Sequence, residues 1–183
     1  MSNEEHLYER LIQPIQDRMI RTVWRILRNP DDTDDAFQEA LETIWKRLGR
    51  IQRHPNPQAL ILRICANAAY DVLRQRIRLR GHETAEAVPD DVRDTTPSVV
   101  ERVSQREGKS EILRAIAQLP RKQAEAVLMR FVQEQSYGTI AEALGCSEAT
   151  ARIHVSRGRA RLSERLAHLA PYPEKEVLPN GKA

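Results

Sequence analysis

Arg152, Arg157, Arg159 and Arg161 crowd one short stretch near the C-terminal end of this chain. A guanidinium carries donors in a rigid fork, which pairs with two acceptors at once on a phosphate or on the edge of a guanine. The chemistry these residues suit is recognition of nucleic acid. The residues before them have the pattern needed to present such a set. Ala141 is small where two helices would cross, and Gly145, four residues on, can take the positive φ that ends a helix. Ser147 is a good N-cap for a second helix, with Glu148 favourably placed in its first turn. Ile140, Leu144, Ala151 and Val155 would face a common core. This is the layout of a helix-turn-helix whose second helix enters the major groove. A structural helical hairpin shares part of the pattern, but it needs neither the cap nor the arginine load.

A second polar set lies upstream. Asn67 and Asp71 are four apart, on one helical face, and Arg74, Arg76, Arg78 and Arg80 follow. Asp31 to Glu42 is acidic, and so is most of Glu83 to Glu101. The 29 Lys and Arg against 26 Asp and Glu leave a formal charge of only +3. The blocks therefore matter more than the sum: alternating signs suit separate surfaces for different partners. Solvated helices also carry many charges. Nothing in the chain suits covalent chemistry. There is no nucleophile–base pair, no metal-ligand cluster, and Gly145 and Gly158 are isolated rather than part of a phosphate-binding loop. No catalytic residue, metal or cofactor is expected. Cys65 and Cys146 make no disulfide framework, no signal peptide is evident, and no apolar run is long enough to span a bilayer. A cytoplasmic setting fits these features.

The elements that must position these groups are helical. The chain has 183 residues, is 40% apolar and 30% charged, and only 4% aromatic. Leu7, Leu11, Ile15, Met19, Val23, Ile26 and Leu27 recur at helical spacing, and Asn29-Pro30 ends that helix. Asp31 or Asp32 would cap the next, with the stripe Phe37, Leu41, Ile44, Trp45 and Leu48 and a stop at Gly49. Arg50 to Pro57 reads as a loop. A third helix buries Leu60, Ile61, Ile64, Ala68, Val72 and Leu73 and runs to Gly81. Residues 82–104 read as a flexible acidic linker. Ile112, Leu113, Ile116 and Leu119, then Ala124, Val127, Leu128 and Phe131, mark two more helices before the helix-turn-helix. Leu162, Leu166 and Leu169 extend the last helix, and a proline-containing tail covers 171–183. The expected fold is all-α: a three-helix domain (1–81), the linker, and a four-helix domain (105–170).

Three blocks make the chain resemble an extracytoplasmic-function RNA polymerase sigma factor. Asp32-Thr-Asp-Asp-Ala-Phe-Gln-Glu-Ala-Leu-Glu-Thr-Ile-Trp45 is similar to that family's acidic helix. Leu60-Ile-Leu-Arg-Ile-Cys-Ala-Asn-Ala-Ala-Tyr-Asp-Val-Leu-Arg-Gln-Arg76 is similar to its Trp-Leu-Tyr-Arg-Ile-Ala-Arg-Asn segment. Ile116 to Leu162 is similar to its C-terminal domain, from a Leu-Pro through the reader helix. The resemblance covers about residues 10 to 170. It implies a region 2-like domain, then a region 4-like domain, and a subunit that directs core polymerase to promoters and helps to melt them.

Roles follow by position. Asp34, Asp35, Gln38, Glu39 and Glu42 would dock the clamp helices of the polymerase β′ subunit, as an acidic ridge suits a basic coiled coil. The resemblance also implies contact with the β flap. The third helix would read the −10 element through Asn67 and Asp71, with Arg74, Arg76, Arg78 and Arg80 on phosphates. The loop before it would receive a flipped base among Gln52, Arg53, His54 and Asn56, which offset part of the unstacking cost. The reader helix would contact the −35 element. Arg152 and Arg157 would face bases, and Ser147, Thr150, Ser156, Arg159 and Arg161 the backbone. Ile153 would touch a thymine methyl or be buried. An anti-sigma factor is a common partner in the family. Leu60 replaces a family Trp, Thr139 an acidic residue, Ala151 a larger Val, and Ile153 a small polar residue. These departures bear on sequence preference. A stand-alone helix-turn-helix regulator leaves the acidic helix and the Asn67/Asp71 helix unexplained. A DNA recombinase would need a catalytic Ser or Tyr among clustered arginines in a mixed domain; Tyr70 sits near Arg63 and Arg74, but an all-helical N-terminal unit argues against it. A degenerate relative would bind core polymerase without supporting transcription.

Overall fold

The computed structural model describes residues 3–80, 108 and 110–169. The expected acidic linker (82–104) and tail (171–183) lie outside the described residues. Among the described residues every regular element is helical. The N-terminal unit comprises α1 (Asn3–Leu11), a 3₁₀ turn (Gln13–Ile15), α2 (Gln16–Leu27), α3 (Pro30–Lys46), α4 (Leu48–Gln52) and α5 (Pro57–Arg80). The C-terminal unit comprises α6 (110–117), α7 (Arg121–Phe131), α8 (Tyr137–Leu144), α9 (Glu148–Arg165) and a 3₁₀ turn (Ala167–Leu169).

The helical periodicity of the first segment is real, but the segment is not one helix. Pro14 has no amide hydrogen to donate, and it sits in the 3₁₀ turn that separates α1 from α2. Leu7, Leu11, Ile12, Ile15, Met19, Val23, Ile26 and Leu27 are nonetheless all buried. Arg28 takes a left-handed conformation (φ 52°) and ends α2. The cap of α3 is Asn29 rather than an aspartate: its side chain accepts from the Asp32 amide, with Pro30 at the first helical position. Asp31 and Asp32 then occupy the first turn. The buried stripe of α3 is Thr33, Ala36, Ala40 and Ile44: Ile44 is inside as expected, while Ala36 and Ala40 take the inner positions expected of Phe37 and Leu41. Phe37 and Leu41 are half-buried, and Trp45 is 41% exposed and stacked on Tyr8 with centroids 6.2 Å apart. Small residues win the inner positions because α3 lies close against α5.

Gly49 does not stop a helix. Arg47 ends α3, and its carbonyl then accepts from Arg50 and Ile51 to start α4, which buried Leu48 and Ile51 anchor. The expected loop is thereby reduced to 53–56. Asn56 caps α5 by accepting from the Ala59 amide. At the other end of the chain α9 stops at Arg165.

The two units share one apolar interior. Ile116, Leu119, Ala124, Val127 and Leu128 join the same cluster as Ile12, Met19, Ile44, Ile61, Cys65 and Leu73. A second cluster joins Ile140, Leu144, Ala151 and Val155, and Ala59 of α5 belongs to it. Close packing of α9 on α7 needs a glycine: a Cβ at Gly158 would lie 2.6 Å from Val127 Cγ2 and 3.3 Å from the Gln123 carbonyl. Replacing Gly158 with Val should therefore destabilise the protein by about 2 kcal/mol or more, read as a shifted urea midpoint. Cys65 is fully buried, and burial pushes its thiol from 9.0 up to about 12. Cys146 is half-buried. At pH about 8 an alkylating reagent should modify Cys146 and reach Cys65 only on unfolding. The folded state holds the Cys65 proton, so this group's contribution to stability is present below pH 9.0 and is lost as pH rises toward about 12.

Candidate nucleic-acid interface

The reader is built from two capped helices. Ser136 accepts from the Thr139 amide at the start of α8, and Ser147 accepts from the Thr150 amide at the start of α9. In each pair the two hydroxyls also lie 2.9 Å apart. Thr139 thus supplies a hydroxyl to the cap at the position where the resembled family carries an acidic residue. Gly145 takes φ 65°, which no β-carbon opposes, and turns the chain between the helices. Ala151, Val155 and Gly158 form the inner face of α9. The outer face holds Arg152, Ile153, Ser156, Arg157, Arg159 and Arg161, all exposed. Ile153 is 47% exposed, which places it on the outer face and leaves it open to a methyl contact. Ser147 is exposed and Thr150 half-buried, and their hydroxyls belong to the cap. The Arg152 guanidinium bonds to Glu148 and lies over the Tyr137 ring.

On α3, Asp34, Asp35, Gln38, Glu39 and Glu42 are all exposed, as a continuous ridge on the face away from the core. Glu42 pairs with Lys46 at 3.0 Å.

The α5 set is dispersed. Arg74 and Arg78 are exposed. Arg76 is instead held at 2.7 Å from Asp32 in a mostly buried ion pair that ties α5 to α3. The side chain of Arg80 lies outside the described residues. Asp71 receives two bonds from Arg121 of α7, at 3.2 and 3.0 Å. The Asn67 Oδ1 is buried without a hydrogen-bond partner. In the preceding loop, Gln52 and Arg53 are exposed, and Arg53 donates to the Gly49 carbonyl. His54 Nδ1 lies 3.0 Å from the Asn56 amide. Asn56 both caps α5 and donates to Glu142 of α8 at 2.9 Å. His54 and Asn56 therefore shape the loop, while Gln52 and Arg53 remain presented.

The reason for this dispersal is that the C-terminal unit covers one face of α5. Arg63, Asn67, Tyr70 and Asp71 recur at helical spacing on that face. Arg63 donates to Glu125 at 2.8 and 3.1 Å and to the Ala143 carbonyl at 2.8 Å. Glu125 is only 3% exposed and also accepts from Arg121 at 3.3 Å. Tyr70 is fully buried, and its hydroxyl donates to the Leu119 carbonyl at 2.8 Å. Burial raises its pKa, so it is a packed core tyrosine rather than a nucleophile. Gln133 donates to the Leu62 carbonyl, and Arg25 of α2 to the Val132 carbonyl. Burial works against the charge on Arg121, but Asp71 and Glu125 overcome it and raise its pKa. Arg63, Glu125 and Arg121 were not expected to matter. A mid-helix arginine in an apolar stretch was the available signal for the first. The acidic residue opposite has no signature, because its partner is distant in sequence. Among the described residues no group of His, Cys, Asp and Glu is arranged to hold a metal, and no helix is long and apolar enough to cross a membrane.

Comparison with known proteins bears on both units. Residues 11–79 match the family model described as Sigma-70 region 2, and residues 109–162 the one described as Sigma-70, region 4. The chain is 28% identical over 169 residues to ECF RNA polymerase sigma factor SigM of Mycobacterium tuberculosis, covering 92% of this chain and 82% of that protein. It is 26% identical over 159 residues to RNA polymerase sigma-E factor of Streptomyces coelicolor, covering 87% and 85%. Among solved structures, the sigma factor RpoE bound to the anti-sigma factor NepR, from Bartonella quintana, superposes with a TM-score of 0.53. That match is at 20% identity and covers 87% of this chain and 96% of the other, so it speaks to the fold.

The buried pair gives a direct test of the docked geometry. Substituting Arg63 with Met leaves Glu125 with Arg121 alone and should cost about 3 kcal/mol, measured by chemical denaturation. The same substitution in a Glu125→Gln background should cost much less.

Proposed function

The chain belongs to the extracytoplasmic-function sigma factors, which direct RNA polymerase to promoters, and from that premise we propose how its surfaces share the task. The exposed arginine face of α9 reads the −35 element in duplex DNA. Supporting this reading, the helix is capped, its back is buried, and its outward side carries four arginines and little that would repel a backbone. Arg152 and Arg157 address base edges, while Ser147, Thr150, Ser156, Arg159 and Arg161 address phosphates. The ridge Asp34, Asp35, Gln38, Glu39 and Glu42 docks the β′ clamp helices, and the C-terminal unit docks the β flap. Gln52, Arg53, His54, Asn56, Asn67, Asp71, Arg74, Arg76, Arg78 and Arg80 address the −10 element as its strands part. The region 2-like domain spans 1–81 and the region 4-like domain 105–170, joined by the linker 82–104 and followed by the tail 171–183. The protein works in the cytoplasm and performs no covalent chemistry itself, and an anti-sigma factor, a common partner in the family, is a candidate partner; the Bartonella quintana protein is in complex with one, NepR.

The docked arrangement adds one requirement. Asp71 is paired with Arg121 of the C-terminal unit and the Asn67 Oδ1 is buried, so their full engagement with DNA requires the two units to separate. Core polymerase supplies that separation by holding the units on different subunits, and their modest affinities then combine through effective concentration.

Run-off transcription from a randomised promoter library tests the reading. With core polymerase, the wild-type chain should select two elements at fixed spacing, and without core it should bind duplex promoter weakly. Reversing the charge at Asp34, Asp35 and Glu39 to Lys should weaken core binding by about tenfold or more without unfolding the chain. Arg157→Ala should lower selection at one −35 position by about 1–3 kcal/mol. Tight core binding with no transcript would point to a sequestering protein instead.

A further inference from the structure

We propose that Tyr137 is a positioning residue for promoter reading: its ring is the platform that aims the Arg152 guanidinium at one base pair. The inference rests on the reading that α9 enters duplex DNA. It adds a specificity-determining residue that lies outside α9.

Tyr137 is the first residue of α8, directly after the Ser136 cap, and is partly buried against the cluster that holds Ala151 and Val155. The cap and the packing fix where its ring can lie. The Arg152 Cζ stands over that ring, 4.3 Å from its centroid. An arginine is held there by the negative face of the ring and by stacking of two planar groups. One edge of the same guanidinium is engaged by Glu148, one turn earlier on α9. The Arg152 side chain remains 58% exposed. Its plane is thus fixed on one side, one edge is held, and the rest of the donor fork faces outward. Arg152 lies in the N-terminal part of α9, the part of a recognition helix that reaches base edges.

Arg130 shares the platform. Its Cζ lies 5.0 Å from the same centroid, and its guanidinium donates to the Gln135 carbonyl in the turn before α8. Two like charges over one ring would drive each other away, but Glu148 offsets the one on α9 and Gln135 tethers the other. The result is a short chain from the turn through the ring to the reader. It matters because a free arginine gives up much of its rotamer freedom on binding, whereas an arginine already held flat gives up less. A bidentate contact with guanine also depends on the plane of the fork more than on its charge. Loss of the ring should therefore blur one position of the promoter and leave the others intact.

The test is a selection among duplex −35 variants by the full chain bound to core polymerase. Arg152→Ala should abolish discrimination at one base pair, by about tenfold. Tyr137→Leu should lower discrimination at that same pair by about 2- to 5-fold, and Tyr137→Phe should keep it. If Tyr137→Leu leaves the profile unchanged while Arg152→Ala alters it, the proposal falls and α9 reading survives. If Tyr137→Leu weakens every position equally, the ring is structural only and the proposal falls. If Arg152→Ala changes no position, the assignment of Arg152 to a base falls, and the proposal with it. Should Tyr137→Leu not fold, the wild-type chain still answers. The Arg152 Nε proton, assigned by its loss in Arg152→Lys, should be shifted upfield by the ring current. A random-coil shift for that proton would overturn the proposal.

Discussion

A carboxylate buried between two guanidinium groups fixes how the two halves of this molecule meet. Glu125 is 3% exposed and would be costly to bury alone. Arg63 reaches it from α5 and Arg121 from its own helix, and Arg121 also grips Asp71. The charges alternate along a line that crosses the boundary between the units twice. Around that line the apolar interior is continuous, and the Tyr70 hydroxyl finds its acceptor in the turn before α7. Helix α5 is accordingly buried on nearly every side through its middle. One side rests on α2 and α3, and the other receives the C-terminal unit.

The same contact is imperfect where function would need it to be. The Asn67 Oδ1 and the Gln133 Oε1 are buried there without partners. Each such group costs about 1–3 kcal/mol relative to a satisfied one. Separation of the units would return both to water or to a base edge. The docked state is therefore held by ion pairs and apolar area and weakened by stranded amides, a balance that a partner can tip. The reader helix stands apart from this exchange. It packs on α7 and α8 and keeps its arginine face outward in the docked state. The duplex-reading surface is presented, while within the strand-reading set the Asn67 Oδ1 is buried and Asp71 is paired with Arg121.

Much of this was legible in the sequence because it is local. Gly145, Ser147 and the spacing of Ile140, Leu144, Ala151 and Val155 specify the turn, the cap and the inner face of the reader. The acidic ridge is equally local, since exposure at Asp34, Asp35, Gln38, Glu39 and Glu42 follows from one helical period. The failures have identifiable causes. Apolar periodicity carried across Pro14 without registering the lost amide. The large residues of α3 outweighed its alanines, although close approach to α5 selects Ala36 and Ala40 for the inside. Gly49 looked like a stop, but Leu48 and Ile51 bury enough surface to start another turn. The Arg76–Asp32 pair spans 44 positions. Asp71, Arg63 and Glu125 are likewise paired over long separations, which no local pattern encodes.

If the units dock on one another in the isolated protein and part on the polymerase, a distance across their boundary must change. Donor and acceptor dyes at Gln75 in α5 and Glu164 in α9 report that distance, both sites being exposed. Energy transfer should be high and uniform in the free protein and should drop sharply when core polymerase binds. Transfer that is already low in the free chain, or that stays high in an active complex, would contradict the account.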